Sequence, residues 1–213
     1  MEKIIPLHGI TCIEPLEGSG GWYWGTDHIH GDLYEAQELF RDRHSITCNR
    51  LVLVHHPDGR VVGPVAGRAG QYFGRPIFLD GGIQILLVDF AASLIQVCRY
   101  DPAVDRTEPV VSLPLAAVKD CYNLMLDGSP LMLTRHVVGQ EFQIIWPERA
   151  DFALGERECF CGREGDRLYF STWSEDPDYR EEVVVRSRAT GRVVERIPGT
   201  LMEMPDGQRW ILQ

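Results

Sequence analysis

Long hydrophobic runs are missing from this sequence. Its most apolar stretches, residues 51–54 and 85–88, each span only about four positions, whereas a membrane-spanning helix needs about 20. The first eight residues carry one acidic and one basic residue and an apolar run interrupted by Pro6, so they lack the basic and apolar regions of a secretory signal. We therefore expect a cytoplasmic protein that crosses no membrane.

Positive charge is also scarce. Lys and Arg number 21 against 31 Asp and Glu, which gives a net charge of −10. This excess of negative charge repels phosphate backbones and anionic membrane surfaces. We therefore expect neither nucleic acid nor a membrane as a partner. With 44% apolar and 24% charged residues among 213, the composition is that of an ordinary folded protein. The length favours one domain over residues 1–213.

Several catalytic and cofactor motifs are absent. The sequence has no glycine-rich phosphate loop before a helical pattern and no G-x-S-x-G elbow, which argues against nucleotide hydrolysis and α/β-hydrolase chemistry. None of the six cysteines has the two-residue gap of a zinc knuckle. Cys159 and Cys161 form the one close pair, for which buried thiols are favoured and a metal or redox role stays open. We predict no cofactor.

What the sequence does contain is a recurring turn signal, an acidic residue followed by glycine just before a β-rich run. Glycine adopts positive φ without steric cost, so each pair predicts a hairpin turn. The spacing between successive marker glycines averages about 43 residues when counted around the whole chain, which indicates a repeat. The markers are Gly81, Gly128, Gly165 and Gly207, with Gly18 as a looser copy.

A second signal supports that period. Gly59-Arg60-Val61-Val62 recurs identically 132 residues later at Gly191-Arg192-Val193-Val194, which is three steps of 44. The first repeat is about 15 residues longer than the corresponding later one, so an insertion is implied. Residues 32–42 carry the helical pattern that fills it, with Asp32 as N-cap and Glu35 completing a capping box. Leu33, Ala36, Leu39 and Phe40 would form its apolar face.

The remaining chain predicts short strands separated by Gly, Pro, Asp or Ser turns. Several runs, such as residues 85–88 and 183–185, do not alternate, so both of their faces should be buried. In these features the chain resembles β-propeller repeat proteins, whose blades span about 40–45 residues. The resemblance implies an all-β domain of five blades, with four as the alternative, in which residues 3–7 and 209–212 share one blade and close the ring. The predicted strands are 83–89, 94–100, 109–115, 142–146, 168–173, 182–188 and 192–197.

The densest polar and aromatic segment, residues 21–32, is the candidate site. Its functional interpretation is a sugar or metal site, since Trp22, Tyr23 and Trp24 could stack on a ring. The candidate ligand-binding residues are Trp22, Trp24, Asp27 and Asp32. His28 and His30 would share a strand face at a spacing suited to one metal ion, with Asp27 or Asp32 completing its shell. The alternative interpretation is structural, with the aromatics in the core and Asp32 as the helix cap.

Two function classes remain open. The favoured one is a non-catalytic module that binds a protein or a small molecule, because short connections leave little chain with which to build a deep cleft. The alternative is a carbohydrate-active hydrolase that uses a carboxylate pair, and an enzyme is therefore not excluded. Carboxylates recur beside the marker glycines, where turn geometry is the simpler explanation. They also cluster at residues 174–182, where a solvated loop is the simpler explanation. The marker carboxylates are Glu17, Asp80, Asp127, Glu164 and Asp206.

Overall fold

A computed structural model describes residues 2–29, 31–204 and 208–213. Strands make up 49% of the chain and helices 6%, which confirms the all-β class. The strands form five antiparallel sheets, and no sheet closes on itself within the described residues, so the five-bladed ring stays a prediction. The chain divides into two compact units, Met1–Leu126 and Asp127–Gln213. Within the same described part, no helix has the length and apolar character needed to cross a bilayer.

The first unit contains two sheets. The first has the strand order β1-β2-β3-β4, and the second has the order β5-β7-β8-β9 with β6 also paired to β7. β5 and β6 pair with opposite ends of the same edge of β7, so together they form one interrupted outer strand. The strands are β1 (Glu14–Pro15), β2 (Trp22–Thr26), β3 (Leu51–His55), β4 (Val61–Val62), β5 (Gln71–Phe73), β6 (Ile77–Leu79), β7 (Gly82–Asp89), β8 (Leu94–Asp101) and β9 (Arg106–Pro114). A short 3-10 turn, Leu115–Ala117, follows.

Two further four-stranded sheets and one hairpin follow along the chain. Their orders are β10-β11-β12-β13, β14-β15-β16-β17 and β18-β19, and the boundary between the units falls inside β10. The strands are β10 (Leu124–Asp127), β11 (Met132–Val137), β12 (Glu141–Trp146), β13 (Ala150–Ala153), β14 (Cys159–Glu164), β15 (Arg167–Ser174), β16 (Arg180–Ser187), β17 (Val193–Pro198), β18 (Thr200–Glu203) and β19 (Arg209–Leu212). All seven strands predicted from the sequence are present, with ends within about three residues of the predicted ones.

The non-alternating runs are buried on both faces, as their sequence predicts. Every residue from 82 to 88 in β7 is buried, and so are Val183, Val184 and Val185 in β16. The core of the first unit is formed by side chains of the first two sheets, among them Leu53, Ile85 and Tyr100. The core of the second unit centres on Phe142, whose ring contacts Phe152, Phe160 and Phe170 at centroid distances of 4.6–5.6 Å.

The one α-helix, α1, spans Leu33–Arg41 within the predicted range. The Asp32 carboxylate accepts hydrogen bonds from the backbone N–H groups of Tyr34 and Glu35, and the Glu35 carboxylate accepts one from the N–H of Asp32. The predicted capping box is therefore present. The predicted apolar face needs one correction: Gln37 is buried instead of Phe40, because its side-chain oxygen accepts a hydrogen bond from the backbone of Cys121 at 2.8 Å.

The acidic-glycine markers connect neighbouring antiparallel strands. At Asp80 and Gly81 both φ angles are positive, 50° and 73°, and Leu79 pairs with Gly82, which is the two-residue turn that this dipeptide favours. Gly165 has φ 58° in the two-residue loop between β14 and β15. The marker at Asp206 and Gly207 lies outside the described residues.

The two identical tetrapeptides start in turns of the same geometry. Gly59 lies between β3 and β4, and Gly191 lies between β16 and β17, so each follows the third strand of its sheet. Their φ angles are 74° and 68°. In both turns the glycine N–H donates to the carbonyl four residues earlier at 2.7 Å. The sequence identity therefore corresponds to one shared local structure.

The chain ends were predicted to pair with each other. The described partner of β19 is β18, with Leu201 opposite Ile211 and Met202 opposite Trp210. Residues 2–7 form no helix or strand. The pairing of residues 3–7 with β19 stays a prediction.

Candidate functional site

The candidate site is a cavity of about 230 Å³ in the first unit, here called the Trp24 cavity. Three parts of the chain supply its walls: the end of β2, the start of α1 with the loop before it, and β5. Residues 123–125 complete it. Its lining includes Trp24, Thr26, His28, Asp32, Tyr72 and Phe73.

Trp24, which lines this cavity, carries an unpaired donor. Its indole nitrogen Nε1 is closed off from solvent and has no hydrogen-bond partner among the described residues. A buried donor without an acceptor costs about 1–3 kcal/mol. The remainder of the ring packs against the core of the first unit, which holds the indole in place. A residue of the wall therefore carries a donor whose hydrogen bond is left to be made.

Asp32 brings a carboxylate. Its Oδ1 accepts the two helix N–H groups at 2.9 and 2.8 Å, and no bond to Oδ2 is described. A carboxylate offers about four acceptor positions, so Asp32 can cap the helix and still accept a hydrogen bond from a ligand. Because Asp32 occupies the first N–H groups of α1, the helix start is not an open anion site.

Tyr72 fixes the loop that borders the cavity. Its hydroxyl lies within hydrogen-bonding distance of two carbonyl oxygens, that of Ile29 at 2.6 Å and that of Gly31. Burial raises the pKa of this phenol well above its ordinary value, and the nearby carboxylates of Asp27, Asp32 and Glu35 raise it further. The phenol therefore stays protonated and remains a donor to the loop.

The structure brings three of the predicted site residues together. Trp24, His28 and Asp32 line the Trp24 cavity. Trp22 is 7% exposed and lies in the core, with its ring 4.7 Å from that of His55. The Asp27 carboxylate accepts hydrogen bonds from the side chain and backbone of Arg50.

The metal hypothesis rested on His28 and His30. His30 lies outside the described residues, and His28 is exposed. Among residues 2–29, 31–204 and 208–213, no group of three or more His, Cys, Asp or Glu side chains is arranged to hold a metal ion. Metal binding by this His pair stays a prediction.

Sequence reasoning missed several lining residues. Thr26 lies inside the predicted segment but was not among the predicted site residues, although its position two residues after Trp24 places both side chains on one face of a strand. Tyr72, Phe73 and Arg75 follow more than 40 residues later, and Leu124 about 100 residues later. No local pattern in the sequence associates these positions with Trp24, because only the packing of β5 and residues 123–125 brings them there.

A second concavity, of about 480 Å³, lies in the second unit and is here called the Trp173 cavity. The guanidinium of Arg157 stacks over the Trp173 ring with its Cζ 4.1 Å from the ring centroid. Arg180 donates through Nε to the Ser174 hydroxyl at 2.8 Å, and Arg196 pairs with Glu182 at 3.2 Å. The cavity is also lined by the carboxylates of Glu156, Glu175, Asp176 and Glu182.

The described marker carboxylates do not line either cavity, and two of them, Asp127 and Glu164, bond within their own hairpins. Glu17 lies 3.5 Å from Arg75. Asp127 accepts a hydrogen bond from Thr134 at 2.5 Å, and Glu164 accepts one from the Tyr169 hydroxyl at 3.1 Å. Turn geometry and local pairing thus account for these residues. Asp206 lies outside the described residues.

None of the six cysteines, all of which lie in the described part of the chain, forms a disulfide bond. Burial was predicted for the close pair, but Cys159 is exposed and Cys161 is only partly buried. A bulge between Phe160 and Gly162 in β14 displaces Cys161 from the regular strand alternation, whereas Cys159 pairs regularly with Ser171. The Cys161 Sγ lies 3.4 Å from the carbonyl oxygen of Cys159.

No protein-family model and no curated protein sequence matches the chain. The proposals below therefore depend on the geometry of the two cavities.

Proposed function

We propose that the protein is a non-catalytic binding module that holds a small organic ligand in the Trp24 cavity. The observation that carries the proposal is the unpaired indole N–H of Trp24, a residue that lines the concavity. A ligand that supplies the acceptor removes the free-energy cost of the unmade bond. Cavities with mostly apolar walls and a few fixed polar groups are the usual form of small-molecule sites.

The same cavity offers little for catalysis. Its carboxylate, Asp32, is held by the two backbone N–H groups of the helix start. Tyr72 has a raised pKa and donates to the loop, so it is a poor general base at neutral pH. These roles support binding over turnover. The net charge of −10 supports the further proposal that neither nucleic acid nor an anionic membrane is the partner.

The test uses the indole N–H groups as reporters. Protein labelled with ¹⁵N at the tryptophan side chains is titrated with a panel of small neutral, anionic and amide compounds up to about 10 mM, where a ligand of millimolar affinity is mostly bound. The Trp24→Phe variant assigns the Trp24 resonance. We expect at least one compound to shift that resonance saturably while the resonances of Trp173 and Trp210 stay in place. A panel that leaves Trp24 unmoved contradicts the proposal.

We also propose that the successive sheets are blades of one repeat, as in a β-propeller. The support is the succession of antiparallel sheets along the chain, three of four strands and one of five, and the shared turn geometry at Gly59 and Gly191. The β18–β19 hairpin would be completed by residues 3–7. Nuclear Overhauser contacts between the backbones of residues 3–7 and 209–212 are the expected result, and their absence contradicts ring closure.

A carbohydrate-active hydrolase remains the second candidate, at the Trp173 cavity. The observation that favours it is a concave surface that combines an aromatic ring with four carboxylates, since glycoside hydrolysis needs two carboxyl groups flanking the bond. Turnover of aryl glycosides that is abolished in Glu175→Gln or Asp176→Asn would establish it. No turnover across the panel leaves the binding module as the sole candidate.

A further inference from the structure

We infer that the ligand of the Trp24 cavity is an uncharged, hydroxyl-rich molecule of about monosaccharide size, an inference that rests on the proposed function above. It follows from four properties of the cavity: the donor it presents, the charge around it, its size, and the distribution of its polar groups.

The indole N–H of Trp24 excludes ligands that can only donate hydrogen bonds. The Trp24 indole N–H needs an acceptor, and an ammonium or guanidinium group has none. The Asp32 carboxylate, in contrast, only accepts, so the ligand must also carry a donor. A hydroxyl group provides both, since it has one proton and two lone pairs.

The charge around the cavity excludes anions. The Asp32 carboxylate lines the cavity at the start of α1 and accepts two backbone hydrogen bonds there, and the Glu35 carboxylate accepts the backbone N–H of Asp32. Arg75 is the lining cation, and its Nη2 lies 3.5 Å from the Glu17 carboxylate, which offsets its charge. The helix N–H groups that would attract a phosphate are already bound by Asp32. A carboxylate or phosphate on the ligand would therefore meet repulsion from Asp32, which Arg75 offsets only in part because it already pairs with Glu17.

The size of the cavity favours a small ring. About 230 Å³ corresponds to roughly seven or eight water molecules at about 30 Å³ each and lies below the range of about 300–1,000 Å³ of drug-sized sites. The polar groups of Thr26, His28, Asp32 and Arg75 come from separate parts of the wall. A ring with hydroxyls on several sides matches that distribution better than a molecule with one polar end, and its C–H faces can pack on Phe73.

Access to Trp24 requires a small adjustment of the wall, because Nε1 is closed off from solvent without a ligand. The wall includes Met125, an unbranched side chain that can change conformation at low cost. The free energy of the hydrogen bond that is then formed offsets this adjustment.

The experiment compares ligands of matched size and different charge. Glucose, galactose and myo-inositol serve as neutral polyols, gluconate as the matched anion and nicotinamide as a neutral amide, each titrated against the Trp24 indole resonance. We expect a neutral polyol to bind and gluconate and nicotinamide not to bind. Trp24→Phe should weaken the polyol about three- to tenfold, the equivalent of one hydrogen bond, as measured by calorimetry. Trp210→Phe, an exposed tryptophan in β19, should leave the affinity unchanged.

A second variant keeps the test valid if Trp24→Phe does not fold. Asp32→Asn retains a good N-cap but removes the charge, so it should weaken the polyol and reduce the rejection of gluconate. Wild-type protein that binds gluconate or nicotinamide but no polyol overturns the ligand class and leaves the proposed function standing. A polyol that binds equally well to wild-type protein and to folded Trp24→Phe also overturns the inference. If no probe moves the Trp24 resonance, both the inference and the proposed function are contradicted.

Discussion

Arg186 binds Glu158 through two parallel hydrogen bonds, with Nε donating to Oε2 and Nη2 to Oε1, each at 3.0 Å. Both side chains are almost fully removed from solvent, at 12% and 2% exposure. The same carboxylate accepts the backbone N–H of Gly155 at 3.0 Å, and Arg186 also donates to the carbonyl of Gly191 at 2.7 Å. The pair therefore connects the loop before β14 to the turn between β16 and β17.

Removing one member of this pair should destabilise the protein strongly. Glu158→Gln leaves the Arg186 charge buried without its partner, and we expect the free energy of unfolding to fall by about 3–5 kcal/mol in chemical denaturation. The control is Glu195→Gln, which removes an exposed partner of Arg167 and should cost less than about 1 kcal/mol. Equal losses in the two variants would contradict the structural role of the pair.

Two glycines with similar backbone angles should tolerate alanine very differently. Gly18 and Gly81 have φ angles of 79° and 73°, but a Cβ at Gly18 would lie 2.4 Å from the carbonyl oxygen of Phe78, whereas a Cβ at Gly81 meets nothing within 4 Å. Gly81→Ala should lower the free energy of unfolding by about 1–2 kcal/mol, because alanine is strained in the left-handed conformation. Gly18→Ala should lower the free energy of unfolding by about 2–5 kcal/mol, because the clash with Phe78 adds to the strain of the left-handed conformation. Thermal denaturation of the two variants measures the difference.

His136 should make stability depend on pH. Burial lowers the pKa of His136 in the folded protein, and the Glu158 carbonyl 3.2 Å from Nε2 offsets this only in part. The unfolded chain therefore binds the proton more readily, with a pKa of about 6.5. The stabilising contribution is complete above that pH and is lost as the pH falls through the lower folded pKa. Between pH 7 and pH 5.5 the free energy of unfolding should decline more steeply in wild-type protein than in His136→Gln.

The cysteines should react with iodoacetamide in an order set by exposure and ionisation. Cys12 is exposed and Cys121 is buried. Burial, together with the Asp27 charge, raises the pKa of Cys48 to about 11, so at pH 8 only about one molecule in a thousand carries the reactive thiolate there. Peptide mass spectrometry of the native protein should show Cys12 labelled well before Cys48 and Cys121. Labelling of Cys48 at the rate of Cys12 would contradict its buried environment.

Local features of the fold were predictable because their causes lie within a few residues. The turn at Asp80 and Gly81 follows from the freedom of glycine to adopt positive φ, and the start of α1 follows from the side-chain oxygens of Asp32 and Glu35. The runs around residues 85 and 184 indicated strands buried on both faces, and both are buried. The bulge at Cys161 was not predictable, because it depends on the register between β14 and β15.

The candidate site also has a part that was predictable from the sequence and a part that was not. Trp24, His28 and Asp32 lie within nine residues of each other, so the sequence itself determined that they could act together. Only the tertiary structure decided that Trp22 belongs to the core, that Asp27 pairs with Arg50, and that Tyr72 and Leu124 complete the cavity. The physical reason is the range of the interactions: capping and turn preferences act between neighbours along the chain, whereas burial and hydrogen bonding at a cavity join segments that only the packed sheets bring into contact.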